Sequence, residues 1–166
     1  MQARVAQVNV SKGGVPKLPI AEGEVTPLGL AGDQHAHPNI HGGPNKALLL
    51  VTAEGIEELR CAGYPLFAGA LGENITTQGL DRRSVRVGQR YRIGPQVVIE
   101  IVKVRAPCDT LNVYGAGTIQ KAVYDAEIKA GDSSSPRWGL SGFYASVVHT
   151  GTIRSGDAIV RLDQAV

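Results

Sequence analysis

A cysteine at the end of an apolar strand is the residue that most favours chemistry in this sequence. Cys108 follows Pro107 just after the run Val-Val-Ile-Glu-Ile-Val-Lys-Val, and Arg105 stands three residues before it. A neighbouring guanidinium favours the thiolate, which is the form that attacks electrophiles and binds soft metals. A lone cysteine is also often a small buried hydrophobic residue. Cys61, in the last turn of a predicted helix, fits that second interpretation better.

Three of the four histidines lie in one glycine-rich segment, residues 29–43, which favours a functional loop. The segment's histidines and its acidic residue are His35, His37, His41 and Asp33. Clustered histidines with an aspartate can bind zinc or another borderline metal. No second thiolate or carboxylate stands at a structural-zinc spacing, so the segment alone is a weak metal motif.

Other polar positions could recognise a ligand or simply form turns. Gly42 and Gly43 would let backbone N–H groups approach an anion, or they would form a turn with positive φ. The amide of Asn74, which opens a predicted strand, could bind the edge of a heterocycle or stabilise a turn. Scattered cations more often form a solvated surface; they are Lys46, Arg82, Arg83 and Arg137.

Short strands must position these residues. Alternating or continuous apolar patterns predict strands over 3–10, 22–27, 46–51, 71–76, 84–92, 96–104, 142–150 and 158–162, with a turn at 153–157. Two helices are expected, one capped by Thr52 and ending at Gly63, the other over 118–130. The fold class is therefore mainly β with a few short helices. A closed or nearly closed β-barrel is expected because closure removes exposed strand edges.

Composition narrows the functional classes. A chain of 166 residues predicts one domain, and a formal charge of +2 argues against a protein that coats nucleic acid. No basic leader precedes an apolar segment, and no run approaches the ~20 apolar residues of a membrane span. Only 2 cysteines fit a reducing compartment. We expect a cytoplasmic protein without a membrane segment.

The order of several short motifs resembles the MOSC domain family, the C-terminal domain of molybdenum cofactor sulfurases. The motifs are Gly32-Asp33, His41-Gly42-Gly43, Gly72-Glu73-Asn74-Ile75 with Gly79-Leu80, Val104-Arg105-Ala106-Pro107-Cys108, Gly142-Phe143-Tyr144, Gly151 and Ser155-Gly156-Asp157. Each is weak alone, but together they extend over residues 4–162 in the family's order. The chain is similar to the small bacterial type of this family.

The resemblance implies a β-barrel and a molybdenum cofactor of the molybdopterin type. It implies that Cys108 is the molybdenum ligand and catalytic residue, or that this cysteine carries sulfur. Arg105 and Asn74 would orient or neutralise the pterin phosphate. The remaining cofactor-binding residues implied are Asp33, His41, Gly42 and Gly43.

The resemblance also implies which partners are needed. The sequence stops at Val166, without the ferredoxin-type or additional domains of longer relatives, so an external electron donor protein is expected. No pyridoxal phosphate site is expected, and a separate cysteine desulfurase would supply sulfur if Cys108 carries a persulfide. Exposed strand edges favour a homodimer.

Three functions remain open from the sequence. The first is a molybdenum-cofactor oxidoreductase that reduces N-hydroxylated or similar small-molecule substrates. The second is a sulfur carrier or cofactor-handling protein with a persulfide on Cys108. The third is a metal-free ligand-binding barrel that uses His35, His37 and His41.

Overall fold

The computed structural model describes residues 1–34 and 42–162, and strands dominate both ranges. The strands are β1 (Arg4–Val10), β2 (Leu18–Ile20), β3 (Glu22–Thr26), β4 (Gly29–Leu30), β5 (Leu48–Thr52), β6 (Ile75–Gln78), β7 (Arg90–Ile93), β8 (Val97–Val104), β9 (Phe143–His149), β10 (Gly151–Arg154) and β11 (Ile159–Leu162). The α-helices are α1 (Ala53–Cys61), α2 (Ile119–Val123) and α3 (Ala126–Lys129). Short 3₁₀ helices cover Pro44–Lys46, Arg82–Ser84 and Asp109–Tyr114. None of the described helices is long and apolar enough to cross a membrane.

The described strands form two sheets. Eight strands pair in the order β11-β7-β8-β9-β5-β6-β1-β2, and three pair in the order β10-β3-β4. All neighbours are antiparallel except β5 and β6, which run parallel across the connection that contains α1. Alternate residues of β8 point into the main core, where Val97, Ile99 and Ile101 are buried.

The strand ladders of the described residues do not close into a barrel, so of the predicted closed or nearly closed barrel the closed form is wrong. An isolated bridge joins Arg4 to Ala158, and the backbone N–H of Val5 donates to Asp157. Beyond this point the outer edge of β1 pairs with β2, which prevents β11 from continuing along it. The two edges of the large sheet therefore approach each other only over the first residues of β1.

Local sequence signals predicted several elements correctly. Strands were found within or close to the ranges predicted for β1, β3, β5, β8, β9 and β11. The Thr52 hydroxyl accepts a hydrogen bond from the Gly55 N–H at 3.1 Å, which confirms the predicted N-cap of α1. These elements form where a period-2 pattern or a capping residue fixes the local conformation.

Other predicted elements are wrong in where they begin or in their continuity. The strand predicted over 71–76 begins only at Ile75, and the strand predicted over 84–92 begins only at Arg90. The helix predicted over 118–130 is broken at Tyr124, whose φ of −152° and ψ of 145° are extended. Asp125 then caps α3 by accepting from the Ile128 N–H at 2.8 Å, whereas Thr118 makes no side-chain cap. The turn predicted over 153–157 begins later, because residues 151–154 form β10.

The core has two parts, and the smaller one supports the candidate site. Residues from both sheets fill the larger part, including Val8, Ile99 and Ile153. The smaller part packs α1 and α2 against the 3₁₀ helix of 109–114 and includes Leu71 and Leu111. Both leucines are fully buried, so they anchor the segments that carry the site.

Candidate functional site

An open pocket with a cavity volume of about 60 Å³ lies where the end of β8 meets the segments that precede β2, β5 and β6. Three of the site residues predicted from the sequence, Asn74, Arg105 and Cys108, line this pocket together. The other residues that line it are Gly14, Val15, Lys17, Gln34, Lys46, Leu49, Leu71, Gly72, Thr110 and Tyr144. The pocket therefore combines one thiol, three cationic side chains and an apolar wall.

Cys108 is partly exposed at the start of the 3₁₀ helix of 109–114. Its Sγ lies 2.9 Å from the hydroxyl oxygen of Thr110. A hydroxyl at this distance can donate to a thiolate, so the sulfur is placed to act as a nucleophile or as a soft metal ligand.

Cys61 lies outside this pocket, on the exposed side of α1. Its thiol is 3.8 Å from a carboxylate oxygen of Glu57 on the same helix. The interpretation of Cys61 as a small buried hydrophobic residue is wrong, because the last turn of α1 directs it to solvent. The chain thus offers one pocket thiol and one surface thiol for comparison.

Arg105 connects the segment that carries Cys108 to the opposite wall of the pocket through hydrogen bonds. Its Nη1 donates to the carbonyl oxygens of Leu71 at 2.9 Å and Ser141 at 3.3 Å. The Ser141 hydroxyl returns a hydrogen bond to the Arg105 carbonyl at 2.6 Å. The residue is only 4% exposed. Arg105 therefore fixes the distance between the cysteine segment and the wall at Leu71, in addition to bringing a positive charge to the pocket.

Asn74 is held by protein contacts on both sides of its amide. Its Oδ1 accepts the Leu49 N–H at 3.1 Å, and its Nδ2 donates to an oxygen of Asp33 at 2.8 Å. The amide therefore sets the spacing between the segment before β6 and β5. This use of both amide groups favours a positioning role for Asn74 over direct reading of a heterocycle.

Asp33 lies just behind the pocket, where it anchors Lys17. Its Oδ1 is 2.6 Å from the Lys17 ammonium and also accepts the Ser11 N–H at 3.0 Å. Both side chains of the ion pair are buried, at 7% exposed for Lys17 and 4% for Asp33. The pair, together with Asn74, makes Asp33 the centre of a buried polar network that shapes the pocket.

Lys17 was missed in the sequence, although a local signal precedes it. Residues 13–17 read Gly-Gly-Val-Pro-Lys, and both glycines adopt positive φ, at 119° and 74°. Two adjacent glycines before a proline mark a tight backbone path. That path places Lys17 against Asp33, so the glycine pair was the signal that could have identified it.

A second cationic group lies around the aromatic ring of Tyr144. The ammonium groups of Lys46 and Lys103 stand 5.5 Å and 5.8 Å from the ring centroid. Burial, together with the charge of Lys103, lowers the pKa of Lys46. Burial also raises the pKa of Tyr144, against the opposing effect of Arg105. Lys46, which the sequence alone suggested was only surface charge, is therefore a pocket residue.

The glycine pair before β5 forms a turn. Gly42 and Gly43 have φ of 91° and 84°, and the Gly43 carbonyl accepts from the Lys46 N–H at 3.0 Å. Neither glycine lines the pocket. Their positive φ agrees with the turn interpretation, while their predicted cofactor contact stays a prediction.

The histidines of the predicted functional loop, His35, His37 and His41, lie outside the described residues. Within 1–34 and 42–162, no three His, Cys, Asp or Glu side chains are grouped closely enough to hold a metal ion. The described part of the site therefore offers a single soft donor, Cys108.

Comparison with known proteins decides the family. A family model described as the MOSC domain matches residues 37–160. This chain belongs to the MOSC domain family. The match covers β5 to β10 and includes Asn74, Arg105 and Cys108, so the pocket is built largely from the MOSC domain.

Curated relatives of this MOSC chain are longer proteins. The chain is 35% identical over 94 residues to protein YiiM of Escherichia coli, covering 54% of this chain and 42% of that protein. It is 29% identical over 140 residues to a protein named Reductase from Gibberella moniliformis, covering 82% and 23%. The chain thus spans less than half the length of either relative.

Solved structures confirm the MOSC fold. YiiM from Geobacillus stearothermophilus superposes with a TM-score of 0.72 at 26% identity, over 99% of this chain and 77% of that one. YiiM from Escherichia coli gives a TM-score of 0.71 at 23% identity, over 99% and 71%. The YUAD protein of Bacillus subtilis gives 0.70 at 19% identity, over 99% and 98%. The last two likenesses concern the fold alone.

Proposed function

We propose that the pocket binds a molybdenum–pterin cofactor with Cys108 as the protein ligand of the metal. The chain would then serve as an oxidoreductase component that reduces N-hydroxylated or similar small molecules. The observation that carries this proposal is the partly exposed Cys108 thiol in a pocket lined by Lys17, Lys46 and Arg105. Membership of the MOSC family and the relative named Reductase support it.

The residues present fit such a cofactor. A single thiolate among the described residues is too small a donor set for a bare metal ion, which usually takes three or four protein ligands. It suits a soft metal whose other ligands come from a sulfur-rich organic partner. The lysines and Arg105 favour an anionic group such as a phosphate. Val15, Leu49, Leu71 and Tyr144 supply an apolar wall for a planar ring.

When bound, the cofactor would supply the two-electron chemistry of the reduction. The protein's own residues would bind and orient the cofactor and exclude water from it. Cys108 would bind through sulfur, and the Thr110 hydroxyl, whose oxygen is 2.9 Å from this sulfur, is placed to donate to it. Asp33 keeps Lys17 in a fixed place, and Arg105 holds the wall at Leu71. Electrons would arrive from a separate donor protein.

The two cysteines allow a labelling test with an internal control. We expect loading with the cofactor to slow alkylation of Cys108 by iodoacetamide at least tenfold, because a metal-bound thiolate no longer attacks. Cys61, which is exposed on α1, should react at the same rate in both states. Peptide mass spectrometry reports both residues in one sample. Equal reactivity of Cys108 with and without the cofactor contradicts the proposal.

A sulfur-carrier function is the second candidate, and the exposure of Cys108 at the pocket favours it. A thiol in this position could accept sulfur from the persulfide of a cysteine desulfurase. Incubation with such an enzyme and free cysteine should then add one sulfur atom to the Cys108 peptide and leave Cys61 unchanged. If this adduct forms while no molybdenum binds, the carrier function replaces the oxidoreductase function.

A further inference from the structure

A buried glutamate stands directly behind the pocket wall. Glu73 is completely buried between Gly72 and Asn74, both of which line the pocket. Its Oε1 accepts hydrogen bonds from the Gly69 N–H at 2.7 Å and the Thr76 hydroxyl at 2.9 Å. Both donors are uncharged, and Oε2 has no hydrogen-bond partner among the described residues. The carboxyl therefore holds the turn of 69–74 through one oxygen only.

Two other side chains that interact electrostatically with Glu73 are also incompletely bonded. Arg105 comes from the cysteine segment, and its Nη1 is committed to carbonyl oxygens at Leu71 and Ser141. Its buried Nε has no partner in the described structure. Tyr114, from the 3₁₀ helix of 109–114, buries an unpartnered hydroxyl. Thus no ion pair or hydrogen bond joins Glu73 to Arg105 among the described residues, although the two side chains are close enough to interact electrostatically.

The surroundings disfavour an ionised carboxylate. A buried charge is stable when it is paired and fully hydrogen-bonded, and Glu73 has neither form of support at Oε2. Burial raises the pKa of Glu73, and the opposing hydrogen bonds and the charge of Arg105 do not outweigh it. Burial raises the pKa of Tyr114, so this phenol stays neutral as well; a negative charge on Glu73 would only raise that pKa further.

We propose that Glu73 is a neutral carboxylic acid in the folded protein and a positioning residue for the pocket. It holds the 69–74 wall without cancelling the positive charge that Arg105 brings to an anion. The proposed protonation state of Glu73 does not depend on the proposed function. Its effect on the pocket rests on the proposed binding of an anionic cofactor, so the two parts are tested separately.

Infrared spectroscopy tests the protonation state directly. At pH 7 exposed carboxyl groups are ionised, so a C=O stretching band of a protonated carboxyl would report a buried acid. We expect this band in the wild-type protein, with a shift in D₂O and a further shift when glutamate is labelled with ¹³C. Glu73→Gln should lack it, and Glu24→Gln, which changes an exposed residue, should retain it. Absence of the band from wild type at pH 7 overturns the proposal, and the isotope measurement does not depend on any variant folding.

The pH dependence of stability gives an independent test with a definite sign. Unfolded Glu73 loses its proton above its ordinary pKa of 4.5, whereas the folded protein keeps it. Folding then binds a proton, so wild type loses stability relative to Glu73→Gln as pH rises. One proton changes the ratio of the two unfolding constants about tenfold per pH unit, from about one pH unit above 4.5 up to the raised pKa of folded Glu73. Glu24→Gln should show no such trend. A constant ratio for Glu73→Gln means an ionised Glu73 and overturns the proposal.

The effect on the pocket is measured on the protein without any cofactor. Iodoacetate and iodoacetamide alkylate the same thiol but differ in charge. Arg105→Gln should lower the iodoacetate-to-iodoacetamide rate ratio at Cys108 several-fold, because an attracting charge is lost. Glu73→Gln should leave this ratio within about twofold, whereas removal of an ionised Glu73 would raise it several-fold. A raised ratio overturns the inference even if molybdenum binds. An unchanged ratio supports it even if molybdenum does not bind.

Discussion

Asp33→Ala should lower the free energy of unfolding by about 3–5 kcal/mol, because it leaves a buried ammonium without its partner. Lys17 is 7% exposed, and its Nζ lies 2.6 Å from Asp33. The substitution also removes the acceptor of the Asn74 amide and of the Ser11 N–H. Chemical denaturation of the purified protein measures the loss.

An exposed ion pair of the same chain provides the matched control. Glu57 and Arg60 on α1 are 2.5 Å apart, but both side chains are more than half exposed. Exposed pairs contribute about 0–1 kcal/mol, so Glu57→Ala should have an effect within that range. If Asp33→Ala costs no more than Glu57→Ala, the buried network does not hold the pocket as described.

Gly69→Ala should be destabilising by about 3–4 kcal/mol, since it combines backbone strain with a direct clash. Gly69 has φ of +94°, and an added Cβ would lie 2.1 Å from the carbonyl oxygen of Lys17. The Lys17 N–H donates to the Gly69 carbonyl at 2.9 Å, so the clash would separate the segment that carries Lys17 from the pocket wall. We expect a lowered melting temperature and faster alkylation of Cys108.

A substitution at Gly63 separates the backbone strain from the steric clash. Its φ is +103°, similar to that of Gly69, but a Cβ there would meet nothing within 4 Å. Gly63→Ala should therefore cost only the conformational penalty of a left-handed alanine, about 1–2 kcal/mol. Equal losses for Gly63→Ala and Gly69→Ala would show that the close approach to Lys17 is relieved at no cost.

Sequence patterns predicted the elements whose conformation depends on near neighbours. The alternation in β8 and the Thr52 cap of α1 are local, and both were found. The break at Tyr124 was not predictable from helical spacing, because Asp125 competes as a second N-cap. The open sheet was also not predictable. It depends on the pairing of β1 with β2, and the sequence of β2 shows no period-2 pattern that would predict a strand.

The site was predictable where residues stand next to the cysteine or in a recognised motif. Asn74, Arg105 and Cys108 do line one pocket. Lys17 reaches it from a distant part of the chain, and only the pairing of strands brings it there. Asp33 shows a further limit of sequence reasoning. Its residue type suggested a ligand contact, whereas its partners in the structure are Lys17, Asn74 and the Ser11 N–H.

The molybdenum-to-protein ratio tests the central claim, that Cys108 holds a molybdenum cofactor. Wild type, Cys108→Ser and Cys61→Ser would be purified side by side from a host that makes the cofactor, and the metal measured by elemental mass spectrometry. We predict near-stoichiometric molybdenum in wild type and Cys61→Ser, and almost none in Cys108→Ser, with all three melting at similar temperatures. Equal molybdenum in wild type and Cys108→Ser, or none in any of the three proteins, would contradict the claim.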